Sequence, residues 1–126
     1  MSEGTIDPQG FLPLPASQLH ILLALADGEK HGYAVMREVE QITDGEVTMG
    51  PGTLYGAIKR MLSAGLVEET DERPDPEMDD ERRRYYRATG AGVLVLAAET
   101  ERLERLVRTA QAKQTKRQLK PGLEGT

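Results

Sequence analysis

The first part of the chain contains two apolar segments with helical spacing, separated by a glycine turn. The segment "QLHILLALA" is apolar nearly all round, which predicts a deeply buried helix that Ser17 caps and Asp27-Gly28 ends. The segment "HGYAVMREVEQITDG" carries one apolar stripe, which predicts a second helix that stops at Asp44-Gly45. The stripe consists of Val35, Met36, Val39 and Ile42.

A third helical pattern follows in "PGTLYGAIKRMLSAG". Pro51 suits the first helical position because its missing N–H would have no partner there, and Gly65 closes the helix. The face predicted to be buried consists of Leu54, Ala57, Ile58, Met61 and Leu62. The polar and basic residues of this helix fall on the opposite side.

Two segments with strand character come next, "LVEET" and "RRRYYRA". An acidic, proline-containing segment joins them and predicts a long hairpin loop. Alternation along the second strand turns Tyr86 and Ala88 toward the core. The same alternation turns Arg83, Tyr85 and Arg87 outward.

The last pattern is a single long helix that Thr89 caps and that runs to about Gln118. It carries apolar positions at alternating spacings of three and four, which is the seam of a two-helix coiled coil. The helix either packs on its own domain or pairs with a second copy, and we favour pairing because so short a domain offers little surface for it. The seam, and therefore the expected dimer interface, consists of Val93, Leu96, Thr100, Leu103, Val107 and Ala110.

Three short helices, a hairpin and a long helix predict a mainly α fold with a small β-hairpin wing. This is a winged helix-turn-helix followed by a long C-terminal dimerisation helix. We assign residues 1–15 to a flexible N-terminal arm and 16–89 to the winged helix-turn-helix. Residues 90–119 form the dimerisation helix, and 120–126 a disordered tail. The apolar residues of the arm, among them Phe11, are candidates for docking on the last helix of a partner.

Composition narrows the function classes. The chain has 126 residues, no cysteine and two histidines, which leaves no thiolate metal site and too few histidines for a zinc site. We expect His20 to be structural and His31 to be a helix cap rather than a ligand. There is no nucleophile setting or phosphate-binding glycine loop, so we expect no catalytic residue, no cofactor and no enzyme activity. Without a signal peptide or a bilayer-length apolar run, the expected location is cytoplasmic, with no membrane partner.

Net charge is −5, yet the segment 71–81 alone carries −6, so the remainder sums to +1. Within this acidic segment, the cluster at 75–81 lacks the glycine and terminal glutamate spacing of an EF-hand loop, so we interpret it as a solvated or disordered loop rather than a calcium site. The charge outside it is compatible with a basic surface that binds DNA.

The turn before the third helix is the strongest sign of DNA binding. In a helix-turn-helix the second helix enters the major groove, and glycines before it let the backbone approach a phosphate. Lys59 and Arg60 suit phosphates, whereas Thr53 and Tyr55, near the helix start, suit base edges or sugar. The wing arginines have two readings, which are compatible: they grip the DNA backbone, or they pair with neighbouring acids.

Three motifs in order are similar to those of the PadR family of bacterial transcriptional regulators. They are "HGY" at 31–33, "PGTLYGAIKRMLSAGLVEE" at 51–69 and "RRRYYRATGAG" at 82–92. The resemblance spans about residues 17–92. It implies a homodimeric repressor that binds a palindromic operator in double-stranded DNA and is released by a small molecule or another signal. The DNA contacts expected from the motifs and the resemblance together are His31, Tyr33, Thr48, Gly52, Thr53, Tyr55, Lys59, Arg60, Arg83, Arg84 and Arg87.

The chain departs from the family pattern in four ways. Gly50 stands where a serine often caps the third helix, and Gly56 follows Tyr55 in place of a better helix former. Gly56 either admits a closer approach to DNA or is merely tolerated. The chain has no Trp, which some relatives use in a flat ligand pocket, and its final domain is a single helix. Two other functions stay open: a winged helix that binds protein, and a ligand sensor that does not itself bind DNA.

Overall fold

The computed structural model describes residues 6–70 and 84–118. Four α-helices and three short strands follow a 3-10 helix at Pro8–Phe11. The elements are α1 (Ala16–Leu25), β1 (Lys30–His31), α2 (Gly32–Ile42), α3 (Pro51–Ala64), β2 (Val67–Thr70), β3 (Tyr85–Ala88) and α4 (Gly90–Gln118). The acidic segment, Arg83 and the expected disordered tail lie outside the described residues. The fold is the mainly α winged helix that the sequence predicts, with a long C-terminal helix.

Helix α1 lies at the centre, packed against α2, α3 and α4. Its buried residues include Ile21, Leu22 and Leu25, in keeping with a segment that is apolar nearly all round. The prediction that Ser17 caps it is wrong. The helix begins at Ala16, directly after the extended Pro15, and its first bond runs from Leu19 N–H to the Pro15 carbonyl, so Ser17 lies inside the first turn.

The helix-turn-helix forms from two well-defined helix ends. The His31 side chain caps α2, as predicted, by accepting a hydrogen bond from Ala34 N–H at 3.1 Å. Asp44 and Gly45 both have positive φ, 57° and 83°, and reverse the chain toward α3. The Thr43 hydroxyl ties this turn to α2, because it donates to the Val39 carbonyl at 2.9 Å and accepts from Val47 N–H at 3.0 Å.

The apolar faces of α2 and α3 are buried where predicted except at two positions. Leu54, Ala57 and Met61 of α3 are almost inaccessible to solvent. Ile42 and Leu62, which we expected to be buried, are 42% and 36% exposed. Each lies in the last turn of its helix, where the helix extends past the core it packs against, so periodicity alone overestimates the buried face.

The wing is part of a three-stranded antiparallel sheet in the order β1-β3-β2. Only the β2–β3 hairpin was predicted. Strand β1 is too short for a periodic pattern, and it pairs Lys30 with Tyr86 and His31 with Tyr85. Tyr86 is buried and Arg87 exposed, as the predicted alternation requires.

A compact joint connects α3, the wing and α4. Thr89 caps α4 as predicted: its hydroxyl accepts from Gly92 N–H at 3.0 Å and donates to the Gly65 carbonyl at 2.6 Å. Gly92 lies so close to the Leu66 carbonyl that any side chain there would overlap it. The end of α3 and the start of α4 are therefore fixed to each other.

The N-terminal arm is packed rather than flexible from Ile6 onward, which corrects our expectation for that part. Leu14 is 7% exposed, and its N–H donates to the Glu99 carboxylate of α4 at 3.3 Å. Glu99 is 1% exposed and also accepts two hydrogen bonds from Arg102, at 2.7 and 2.9 Å. Within the protomer the arm therefore docks on its own α4.

The first half of α4 packs on its own domain, so part of the expected seam has contacts within the protomer. Val95, which lies outside that seam, is fully buried, and Leu96 packs against the core. Leu103 is half-buried, whereas Val93 and Val107 are 55% and 53% exposed. The reading in which the helix packs on its own domain therefore holds for its first half, and pairing of the second half with a second copy stays a prediction.

Candidate nucleic-acid interface

The start of α3 presents an uncapped turn to solvent. Gly50 stands at the N-cap without a side chain, and Pro51 has no N–H. The first helical bond is from Leu54 N–H to the Gly50 carbonyl, so the amides of Gly52 and Thr53 precede the hydrogen-bonded ladder. Both residues are exposed, as is Thr48 just before the helix. This turn can accept an anion such as a DNA phosphate.

The outer face of α3 continues from this turn with basic residues. Lys59 and Arg60 are both exposed. Gly56 lies between the turn and these bases, and the nearest atom to a side chain added there would be an Arg60 guanidinium nitrogen at 3.8 Å. The face combines small residues near the helix start with two positive charges one turn further along.

Tyr55 has a different environment from its neighbours on α3. It is half-buried and packs against the core, and its hydroxyl lies against the backbone of Gly32 at the start of α2. A side chain at position 32 would overlap the Tyr55 ring. Tyr55 therefore sets the contact between the two helices of the motif, in a place where we expected a side chain that reaches base edges or sugar.

His31 connects α2 to the wing. Its ring meets Tyr85 of β3 edge-on, with centroids 5.5 Å apart and an interplanar angle of 80°. Since Nδ1 accepts from Ala34, the proton of the neutral ring is on Nε2. Tyr33 follows in the first turn of α2 and is half-buried. The expected contacts of α2 and the wing are thus adjacent in the fold.

The wing arginines within the described residues form ion pairs with β2. Arg87 donates to Glu68 at 2.6 Å, directly across the strand pair, and Arg84 donates to Glu69 at 3.3 Å. About half of each side chain is exposed. The reading in which the arginines pair with neighbouring acids therefore holds for Arg84 and Arg87, whose partners lie on β2.

Tyr86 forms the inner side of the wing. Burial raises the pKa of its hydroxyl, and the charge of Glu69 adds to that effect. The phenol therefore stays neutral across the physiological range. Its role is to pack the wing on the domain.

Three features of this surface were missed at the sequence level. The backbone contact at Gly32 leaves no trace in the sequence beyond the glycine itself. Strand β1 is too short to show an alternation of apolar and polar residues. Glu68, by contrast, becomes readable once the strand register is known, because a glutamate directly opposite an arginine indicates an ion pair.

An apolar groove lies on another side of the molecule, between α1 and the second half of α4. It has a volume of about 370 Å³. Its lining residues are Leu19, Leu23, Thr100, Leu103, Glu104, Val107 and Arg108. Leu94 and Leu106 of α4 are also exposed, at 55% and 53%.

The described residues hold no cluster of three or more histidine, cysteine or acidic side chains that suits a metal ion. Among the helices of 6–70 and 84–118, none is long and apolar enough to cross a membrane. The acidic segment that we compared with a calcium loop lies outside these ranges.

Comparisons with known proteins identify the family of this chain. The family model described as the transcriptional regulator PadR-like family matches residues 21–98. A transcriptional regulator of Mycobacterium tuberculosis is 37% identical over 93 residues, which are 74% of this chain and 80% of that protein. A 37.1 kDa protein in a transposon of Streptomyces fradiae is also 37% identical, over 90 residues and 71% of this chain. The chain spans only 24% of the length of that protein.

Solved structures of transcription regulators have a similar fold. A PadR family transcription regulator from Clostridium difficile superposes with a TM-score of 0.62 at 21% identity, over 79% of this chain and 97% of that one. This likeness concerns the fold, whereas the family model and the mycobacterial relative concern the sequence. Together they establish that this chain belongs to the PadR-like family of transcriptional regulators.

Proposed function

We propose that this transcriptional regulator acts by binding double-stranded DNA directly, as a homodimeric repressor on a palindromic operator. In this proposal residues 16–89 are the DNA-binding unit and 90–119 the dimerisation helix. The observation that carries it is the start of α3, where exposed small residues and unbonded amides precede two exposed basic side chains. A helix with these features fits the major groove, with its first turn beside a phosphate.

The contacts divide by chemistry. Lys59, Arg60 and the wing arginines bind phosphates, whereas Thr53 contacts base edges. The amides at Gly52 and the nearby Thr48 fix the register of α3 on the backbone. Tyr55 acts by holding α3 against α2, which is consistent with its contact to Gly32.

Dimerisation rests on the exposed apolar side of α4. A helix of 29 residues is about 44 Å long, and its second half carries Leu106 and Val107 more than half exposed. Pairing with a second copy covers these residues and places two α3 helices on successive major grooves.

The test uses fluorescence anisotropy to measure how tightly the purified protein binds DNA that flanks its own gene. We expect the protein to bind an inverted repeat in this DNA and to protect it. If the dimer contacts about eight phosphates, log K falls with log salt at a slope of roughly −7. An affinity that does not depend on salt concentration, or no binding in dilute buffer, would show that the regulator acts without contacting the DNA backbone.

Two variants separate the proposed roles. Lys59→Ala should weaken operator and unrelated DNA about equally, whereas Thr53→Ala should change the preference among operator variants. Both side chains are exposed, so the fold is unaffected. Glu101→Gln, an exposed change on α4, serves as the control.

We also propose that a small apolar effector binds in the groove between α1 and α4. Leu19 and Leu23 of α1 form one wall, and α1 packs directly on α3, so a ligand there can shift the recognition helix. A panel of aromatic compounds, tested for release of the protein from DNA, examines this. Leu23→Glu should abolish the response of any active compound.

A further inference from the structure

We propose that Glu68 limits how tightly the protein binds DNA, by competing with phosphate for Arg87. This inference rests on the proposed function, because it assumes that the wing contacts DNA. It assigns an opposing role to an acidic residue inside a surface that otherwise carries the expected contacts.

The wing face that carries Arg87 is the face that carries His31. Tyr85 meets the His31 ring, and Arg87 lies two residues further along the same strand, so the two side chains share one face. Glu68 is directly opposite Arg87 in the register of β2 and β3. A carboxylate therefore stands within the candidate interface.

The ion pair is short and accessible. Arg87 Nε lies 2.6 Å from a Glu68 carboxylate oxygen, and the two side chains are 50% and 47% exposed. Pairs this exposed are weak, and a phosphate can take the guanidinium from the carboxylate. Neither side chain is buried, so the pair is not a fixed part of the core.

The consequence for DNA binding follows from counting ions. When Arg87 moves to a phosphate, Glu68 loses its partner beside a polyanion, and a cation from solution must replace the arginine. The exchange therefore releases almost no net counterion. Glu68 therefore weakens binding to any duplex on which Arg87 contacts a phosphate, whatever its sequence, because phosphate contacts carry no sequence information.

The competing view is that the pair only stabilises the hairpin. A cross-strand ion pair contributes a fraction of a kcal/mol or so to a sheet, and that role needs no DNA. The two views differ in what removal of the charge does. A structural pair predicts a slightly less stable protein with unchanged DNA binding, whereas competition predicts tighter binding to both the operator and unrelated DNA.

The experiment measures binding of Glu68→Gln to the operator and to an unrelated duplex, across a range of salt concentrations. With one exposed pair released in each protomer, we expect unrelated DNA to bind about 2- to 30-fold more tightly. The operator should gain by a similar factor, so the specificity ratio stays the same. The salt slope for both duplexes should steepen by up to about 1.8, or 0.9 for each Arg87 that turns to a phosphate without a cation being taken up at Glu68.

Two controls isolate the mechanism. Glu101→Gln makes the same charge change on the exposed side of α4, and it should leave the affinity for both duplexes unchanged. The double variant Glu68→Gln/Arg87→Gln should lose the gain in binding, because Glu68 acts through Arg87. Thermal melts of all variants confirm that the fold is retained.

Each result decides between the two proposals. If the parent protein binds DNA while Glu68→Gln behaves like Glu101→Gln, the inference is wrong and the proposed function stands. A gain that persists without Arg87 also overturns the inference. If neither the parent nor Glu68→Gln binds any duplex in dilute buffer, the proposed function fails and the inference fails with it.

Discussion

At the scale of single residues, the contact between Gly32 and Tyr55 decides how the two helices of the DNA-binding motif meet. A methyl group at position 32 would overlap the Tyr55 hydroxyl and ring. We expect Gly32→Ala to lower the free energy of unfolding by about 1–3 kcal/mol, the usual cost of an overpacked site. Urea denaturation measures this change.

A second substitution identifies the atom responsible. The hydroxyl is the nearest atom to the added methyl, so Tyr55→Phe in the Gly32→Ala background should recover part of the loss. Gly10→Ala, where a methyl would meet no atom within 4 Å, is the matched control. Equal stability of Gly32→Ala and the parent would mean that α2 and α3 are not held by this contact.

Gly56 gives the opposite prediction. Its position in the helix interior leaves room for a methyl group, and Ala is favoured over Gly there by about 1 kcal/mol. We therefore expect Gly56→Ala to raise the free energy of unfolding by up to that amount, measured in urea, with unchanged operator affinity. A more stable protein with weaker operator binding would show that DNA needs the space at this glycine.

A glycine at the end of the same helix provides the contrast. Gly65 has φ of 80°, a region that L side chains rarely adopt, so Gly65→Ala should destabilise the protein by about 1 kcal/mol or more. The two glycines of one helix thus respond in opposite directions, for reasons of backbone geometry rather than composition.

At the scale of elements, Glu99 holds the N-terminal arm on α4. The hydrogen bonds from Arg102 lower the pKa of Glu99 below its ordinary value of 4.5, with a further contribution from Leu14 N–H and against the effect of burial. A lowered pKa means that this carboxylate stabilises the fold at pH values above the ordinary one. The contribution is lost as the pH falls through the lower, folded value.

We expect Glu99→Gln to reduce the free energy of unfolding by about 1–3 kcal/mol at pH 6, because a buried charged acceptor of three hydrogen bonds is replaced. The difference from the parent should shrink as the pH falls through the lowered pKa of Glu99, because the parent's carboxylate then becomes protonated. Denaturant titrations at pH 6 and at successively lower pH test this. The exposed Glu101→Gln should show neither effect, and a constant deficit for Glu99→Gln would exclude the proton linkage.

The helices could be predicted from the sequence because each carries its own signal. The His31 cap, the Pro51 start and the Gly65 end are local features that need no knowledge of the rest of the chain. The exposure of Ile42 and Leu62 could not be predicted, since it depends on where neighbouring elements end. Local chemistry determined the elements, and tertiary contacts determined which faces were buried.

The arm and β1 show the same limit at longer range. The Leu14–Glu99 bond joins residues 85 positions apart, and no periodicity connects them. Strand β1 exists because β3 offers it an edge beside the capped start of α2. For the candidate site, sequence placed the exposed turn and bases of α3 correctly, but the inward position of Tyr55 depends on the backbone of Gly32.

At the scale of the whole molecule, the second half of α4 leaves an apolar surface that its own domain does not cover. The groove between α1 and α4 and the exposed Val107 belong to one continuous side of the molecule. An exposed apolar surface of this kind favours association with a second copy. Charge introduced into it should oppose association without disturbing the protomer, because these side chains are already accessible to solvent.

Val107→Asp tests this directly. We expect the variant to be monomeric by sedimentation, since two aspartates would meet across a two-fold axis in an apolar interface, where each unpaired charge costs several kcal/mol. Thr109→Asp makes the same charge change on another face of α4 and should leave the dimer intact. Loss of one protomer's contacts should also bring the salt slope of DNA binding down to about half. If Val107→Asp sediments like Thr109→Asp, the two recognition helices are not held together by this side of α4, and the spacing of the operator half-sites must then come from another contact between protomers.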